Sequence, residues 1–167
     1  MKSGFQNKYV AECFRNGKKI WEETVYNMVV NEGLDHVLES YFKGSGYNGI
    51  HYLGLKTAGS VTAADTLAKV GAGTTNWDEF EKYTGNRIQI QLGAVSGQKV
   101  SNANNRATFA ISGVTNPVGE AVHGIMVATV NTGTSGILFG AVDFAAARTV
   151  LDGDSIVVTV EFTQANL

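Results

Sequence analysis

Histidine, cysteine and paired carboxylates are the side chains best suited to chemistry, and this chain carries few of them. Its histidines are His36, His51 and His123. No two stand at the His-x-His or His-x-x-x-His spacing that sets two imidazoles on one strand or helix face. Cys13 is the single cysteine, which excludes an intrachain disulfide and any multi-cysteine zinc site. It alternates with Phe14 in an extended run, where a lone thiol is expected to be a small buried hydrophobe rather than a nucleophile. A Gly-x-Ser-x-Gly nucleophile elbow is absent. The nearest strings, Gly44-Ser45-Gly46 and Gly133-Thr134-Ser135-Gly136, read as loops. There is no Gly-Lys-Ser/Thr phosphate loop, and Gly71-Ala72-Gly73 does not open a helical pattern.

Two acidic groups remain. Asp152-Gly153-Asp154 offers oxygen ligands in a turn, yet it is too short for a calcium loop and lacks the distal glutamate. A turn before the last strand is its expected role. Asp78, Glu79 and Glu81 lie beside Trp77 and Tyr83, carboxylates among aromatics as at a sugar site, although no acid and base roles can be assigned. The aromatics are expected to be core or interface anchors. Arg15, Lys18 and Lys19 surround a hairpin tip, but Glu22 and Glu23 follow at once and cancel a phosphate-tracking patch. The expectation is a protein that is not an enzyme, with no catalytic residue, cofactor, metal or nucleic-acid partner.

The elements that position these residues follow from periodicity. Residues 8–14 alternate as a strand, Asn16-Gly17 is a tight-turn signal, and residues 18–25 alternate back. This predicts an N-terminal β-hairpin, preceded by an arm over residues 1–7. One amphipathic helix is expected over about 32–42. Asn31 is its N-cap, Glu32 sits in its first turn, and Leu34, Val37, Leu38 and Tyr41 form one apolar stripe. Gly44-Ser45-Gly46 ends it. A short helical turn is expected within 62–68. Residues 50–56 read as a strand buried on both faces, residues 77–83 as strand or irregular, and further strands are expected over 87–92, 106–111, 121–130, 137–144 and 155–163. Turns with Gly, Asn or Asp separate the later ones. About eight strands and one helix predict a mostly β chain: a single β-sandwich domain over 8–167, for which a jelly roll is one arrangement. Leu34, Val37, Leu38, Trp21 and Trp77 are the expected core residues. Phe5, Tyr9, Tyr47 and Tyr83 are the candidate interface anchors.

Composition narrows the class. The chain has 167 residues, 13 Lys and Arg against 15 Asp and Glu, and a net charge of −2, without the basic excess of a nucleic-acid carrier. No apolar run approaches the roughly 18 residues of a membrane-crossing helix, and Met1–Lys8 lacks the apolar core of a signal peptide. The expectation is a soluble chain made in a cytoplasm. Residues 1–87 hold 20 of the 28 charged side chains and residues 88–167 hold 8. A weakly charged, Ser/Thr/Asn-rich surface suits faces that meet other proteins.

Several strings carry a resemblance. They are Asn27-Met28-Val29-Val30-Asn31-Glu32-Gly33-Leu34-Asp35-His36-Val37-Leu38, followed by Tyr41-Phe42; Tyr52-Leu53-Gly54-Leu55 with Ala64-Asp65-Thr66-Leu67-Ala68; Trp77-Asp78-Glu79-Phe80 with Tyr83-Thr84-Gly85-Asn86-Arg87; and Gly136-Ile137-Leu138-Phe139-Gly140-Ala141 with Phe144 and Gly153-Asp154-Ser155-Ile156. In this order and spacing the chain resembles a family of small structural proteins of tailed phages and prophages, most of all the capsid cement, or decoration, proteins. The resemblance implies a virion protein on the outer capsid surface, made in the bacterial host cytoplasm. Its implied partners are the major capsid protein and further copies of itself, as dimer or trimer. It carries no catalytic residues to transfer. Two alternatives stand beside it: a tail or baseplate component, and a carbohydrate-binding β-sandwich for host recognition.

Overall fold

The computed structural model describes residues 3–26, 28–43 and 51–166. In chain order its elements are β1 (Ser3–Arg15), β2 (Lys18–Tyr26), β3 (Met28–Val29), α1 (Asn31–Phe42), β4 (Tyr52–Lys56), α2 (Leu67–Gly71), β5 (Glu79–Phe80), β6 (Ile88–Gln89), β7 (Lys99–Ser101), β8 (Ala107–Ala110), β9 (Glu120–Ala128), β10 (Leu138–Val150) and β11 (Ser155–Asn166). One antiparallel sheet has the order β2-β1-β11-β7, with β8 also on β11. The other has the order β3-β10-β9-β4-β5, with β6 also on β4. The two pack face to face, and the fold is a mostly β sandwich.

The alternation read from the sequence sets the faces. Tyr9, Ala11 and Cys13 of β1 and Ile156, Val158 and Val160 of β11 point inward and are buried, as a period of two requires. They meet Leu53 and Leu55 of β4, Ile125 and Val127 of β9, and Phe139 and Val142 of β10. The hairpin turn lies at Asn16 (φ 50°) and Gly17 (φ 75°), the paired left-handed conformation of a two-residue connection. A second, smaller core lies on the outer side of the β9 and β10 sheet, where Leu67, Val70 and Trp77 cover Met126, Ala128, Leu138 and Ala141. Strands β4 and β9 are therefore buried on both faces.

Three expectations change. From residue 3 onward the N-terminal segment is not an arm, because β1 pairs with β11 from Ser3 opposite Asn166 to Phe14 opposite Ser155. The last strand runs three residues past its expected end and gives the backbone of 3–7 its partners. The N-cap of α1 is Val30, and Asn31 is already helical. The third change is the face that α1 turns inward. Gly33 packs so closely on β10 that a Cβ there would lie 2.1 Å from the Phe139 carbonyl oxygen. Val37, one turn on, packs against the core. That contact rotates Leu34 and Leu38 outward, so these two expected core residues are exposed. Trp77 is buried and Trp21 is half-buried against the core, edge-on to Phe144 at 5.8 Å.

Side-chain bonds fasten the layers. The Glu32 carboxylate accepts from the backbone N–H of Leu67 (3.1 Å) and of Leu138 (2.7 Å), tying α1 to α2 and β10. Glu23 of β2 reaches across to the other sheet, accepting from the Ala145 N–H and from Arg148 Nε at 2.8 Å. The Lys56 side chain crosses β9 over Gly124, the residue that separates it in register from Asp143. Its ammonium donates to the Thr57 and Gly59 carbonyls and to Asp143, with the Trp77 ring 5.3 Å away. A Cβ on Gly124 would stand 2.9 Å from Lys56 Cδ and 2.0 Å from the Val142 carbonyl oxygen, so only glycine leaves that passage open.

Candidate functional site

Several of the side chains with chemical potential are held in structural roles. His36 lies on α1, His51 packs its ring on Phe139 and Phe162, and His123 is on β9. Among the described residues no three His, Cys, Asp or Glu side chains are placed to share a metal ion. Cys13 is fully buried. Burial, with the Asp154 charge adding to it, pushes its thiol up to about 12, so it stays protonated and inert. In the 152–154 turn, Asp154 takes a two-pronged contact from Arg15 (2.8 and 2.7 Å) and the Leu151 N–H, while Asp152 accepts from the Gly113 N–H. Burial disfavours the Asp154 charge, but the Arg15 guanidinium and the backbone donor outweigh it and hold the carboxyl below its usual range.

Asp78, Glu79 and Glu81 do meet, at a polar cleft of about 490 Å³ that includes Arg87, Asn131 and Thr134. Its floor is a buried ion pair. Arg87 holds Glu79 through Nε and Nη2 (3.0 and 2.6 Å) and donates from Nη1 to the Val130 and Gly133 carbonyls. The Tyr83 hydroxyl donates to Glu79 at 3.1 Å, and burial with that neighbouring charge pushes the phenol up. The aromatics that motivate a sugar site are packed away: Trp77 does not line the cleft, and Tyr83 lines it as a buried side chain. Trp77 is 2% exposed, with its indole N–H on Asp65 at 2.8 Å, and Tyr83 stacks edge-on with Phe109 at 4.9 Å inside the sandwich. Neither presents a ring face to a ligand.

Two other surfaces stand out because they are apolar and uncovered. The first is a groove of about 260 Å³ lined by Phe5, Val95, Val100, Phe162 and the stems of Gln98 and Gln164. Register explains it. Phe5 pairs with Gln164, and Val100 with Phe162, so these side chains continue the inward face of the first sheet beyond its fully buried part. The second is the outward stripe of α1, where Leu34, Leu38, Tyr41 and Phe42 are 40%, 54%, 80% and 73% exposed. Their spacing of i, i+4, i+7 and i+8 makes one continuous ridge.

Of the four anchor candidates, Phe5 lies on the groove. Tyr9 and Tyr83 are core residues, and Tyr47 lies outside the described residues. Sequence reasoning missed Val95 and Val100, whose loop and three-residue strand are too short to show a pattern, and read Phe162 only as part of the last strand. It also placed the α1 ridge inside. The available signal was Gly33, Val37 and Ser40 at i, i+4 and i+7, which marks the face able to approach a backbone closely.

Compared with family models, curated proteins and solved structures, the chain has no match in any of the three.

Proposed function

We propose that this chain is a structural protein of a tailed-phage virion, a capsid cement protein that binds the major capsid protein on the outer surface of the head and stabilises the lattice without catalysis. One observation carries the reading: two separate apolar surfaces, the Phe5–Val95–Phe162 groove and the α1 ridge, stand uncovered on one tightly packed body. A cement protein works by touching more than one neighbour, so it needs at least two such surfaces. Exposed apolar patches on an otherwise polar chain mark protein-binding sites. The sequence strings that resemble the cement family support the same reading. So does the assignment of the charged and nucleophilic side chains to ion pairs, turns and core.

The physical action is linkage. A ligand that binds only the assembled lattice stabilises it by RT ln(1 + [L]/Kd), about 2.7 kcal/mol at a hundredfold excess over Kd. The test mixes purified chain with empty expanded capsids of the phage that encodes it. Co-sedimentation and a raised capsid melting temperature are expected, and Phe5→Glu in the groove is expected to abolish both. Failure to bind any capsid form would overturn the proposal.

A further inference from the structure

The Asn16-Gly17 turn brings together a side-chain amide and a backbone nitrogen that can react with each other. We propose that this hairpin tip is a self-modification site: in the folded chain the Asn16 side chain closes onto the Gly17 nitrogen, and water opens the resulting imide to an acidic residue. The inference concerns the isolated chain and does not rest on the function proposed above.

The bonds balance without any oxidant or reductant. The Gly17 nitrogen gives up its proton and bonds to Asn16 Cγ. The Cγ–Nδ2 bond breaks, and that nitrogen leaves as ammonia. Water then cleaves one of the two imide C–N bonds. Cleavage at Cγ gives aspartate, and cleavage at the backbone carbonyl gives isoaspartate, with the main chain running through Cγ. Either product replaces a neutral amide with a carboxylate and takes the net charge from −2 to −3.

The fold singles out this asparagine. Asn16 and Gly17 are both exposed, and among the described residues neither the Asn16 amide nor the Gly17 N–H has a hydrogen-bond partner. A Cβ on Gly17 would meet nothing within 4 Å, so nothing crowds the nucleophile. Elsewhere the following nitrogen is engaged. The Arg87 N–H behind Asn86 donates to the Asn131 carbonyl at 3.0 Å, and the Asn105 N–H behind Asn104 donates to the Asn102 carbonyl at 2.8 Å. The Ala103 N–H behind Asn102 donates to Ser101 Oγ at 3.2 Å. Asn116 precedes Pro117, which has no N–H.

Backbone geometry lets the ring close without unfolding. Asn16 stands at φ 50° and Gly17 at φ 75°, as both central residues of a type I′ turn do. A five-membered imide holds ψ of its own residue near about −120°, the value at the first central position of a type II′ turn, where φ is about +60°. The φ of Asn16 already matches. Closure needs rotation about its ψ and a change of Gly17 to φ of about −80°, which glycine adopts as readily as its present value. Types I′ and II′ both join strands of right-handed twist, so Arg15 stays opposite Lys18. Ion pairs from Arg15 to Asp154 and from Lys19 to Glu12 hold the hairpin end meanwhile.

The test incubates the purified full chain in mildly alkaline buffer, native and in urea. Ion exchange follows the acidic form, and peptide mapping with isoaspartyl methyltransferase labelling assigns it. Native chain is expected to gain a carboxylate and isoaspartate at residue 16, faster as pH rises because the Gly17 nitrogen must lose its proton. The native rate is expected to lie within about tenfold of the rate in urea, since the turn can reach the closing geometry while folded. Asn16→Gln, whose longer side chain must close a six-membered ring, is expected to lose the acidic form, and Asn16→Asp to elute with it from the start. Both positions are exposed, so urea midpoints matching the parent separate lost chemistry from lost folding. A native chain that keeps its Asn16 amide, whether or not the unfolded chain loses it, would overturn the inference. So would an acidic form that maps only to another asparagine, such as Asn48 before Gly49, or one that persists in Asn16→Gln.

Discussion

Removing either partner of the Lys56–Asp143 pair should destabilise the fold by unequal amounts. The Lys56 side chain is 0% exposed and the Asp143 side chain 42% exposed. Asp143→Ala leaves a buried ammonium with two carbonyl acceptors and no counter-charge. An orphaned buried charge costs about 3–5 kcal/mol. Lys56→Met keeps the apolar stem in its passage over Gly124 and leaves behind a carboxylate that water already reaches. The Thr57 and Gly59 carbonyls lose a charged donor but lie near the surface. Two partly rehydrated hydrogen bonds amount to about 1–2 kcal/mol. The double variant leaves no buried charge and should cost about as much as Lys56→Met alone, a coupling of about 3–5 kcal/mol, the whole cost of Asp143→Ala. Urea unfolding at pH 7, followed by tryptophan fluorescence with equal m-values, measures all three. If Lys56→Met costs as much as Asp143→Ala, or if the two losses add, the ammonium is not enclosed as described and the reasoning fails.

Further expectations concern close contacts, acid and the thiol. Gly33→Ala and Gly124→Ala each push a methyl into a backbone carbonyl at 2.1 and 2.0 Å and should lower stability by about 1–3 kcal/mol or more. Gly93→Ala, whose nearest neighbour is 3.5 Å away, should change it by less than about 0.5 kcal/mol. The Asp154 carboxyl is held below its ordinary value by Arg15. Its stabilising effect is therefore present above about pH 4, the unfolded value, and lost as pH falls through the lower folded value. Arg15→Met should thus lower the urea midpoint at pH 7, and its difference from the parent should shrink on acidification below about pH 4; a difference constant with pH would refute this. Cys13, pushed up to about 12 by burial, should resist iodoacetamide at pH 8 in the folded chain and react on unfolding, which mass spectrometry follows; fast labelling of native protein would contradict its burial.

Much of the sandwich was legible because its strands obey a period of two over many residues. The run from Ile156 to Phe162 and the Asn16-Gly17 turn state their own geometry. The short strands did not. β3 and β7 have two and three residues, too few for a period, and they exist because a longer neighbour supplies hydrogen bonds; β6 keeps only two residues of the run expected over 87–92. The helix shows a different limit. Leu34, Leu38 and Tyr41 satisfy the apolar spacing of a core stripe, but spacing does not say which stripe faces the protein. Gly33 decides it, and the sign lies in how closely α1 approaches the Phe139 backbone, a tertiary fact. The polar cleft was half legible. Asp78, Glu79 and Glu81 do converge, but the Arg87 that neutralises Glu79 lies eight residues on, and nothing local announces the pairing.

The same tertiary contacts that hid the ridge make it usable. A surface patch binds well only when little freedom is lost on docking, because each immobilised side chain or loop costs about 0.5–1.5 kcal/mol. Gly33 seats α1 directly on β10, and Glu32 bonds its first turn to α2 and to the start of β10. The ridge is thus fixed to the second sheet, while the Phe5 groove belongs to the first. Glu23 spans from β2 to Ala145 and Arg148 of β10, and Arg15 and Asp154 bind the β1–β2 hairpin end to the turn that joins β10 to β11. Both surfaces therefore move as one body. An inward-pointing charge on β2 also blunts that sheet edge against unplanned strand pairing, so that under the proposed function the two apolar surfaces are the ones left to meet other proteins.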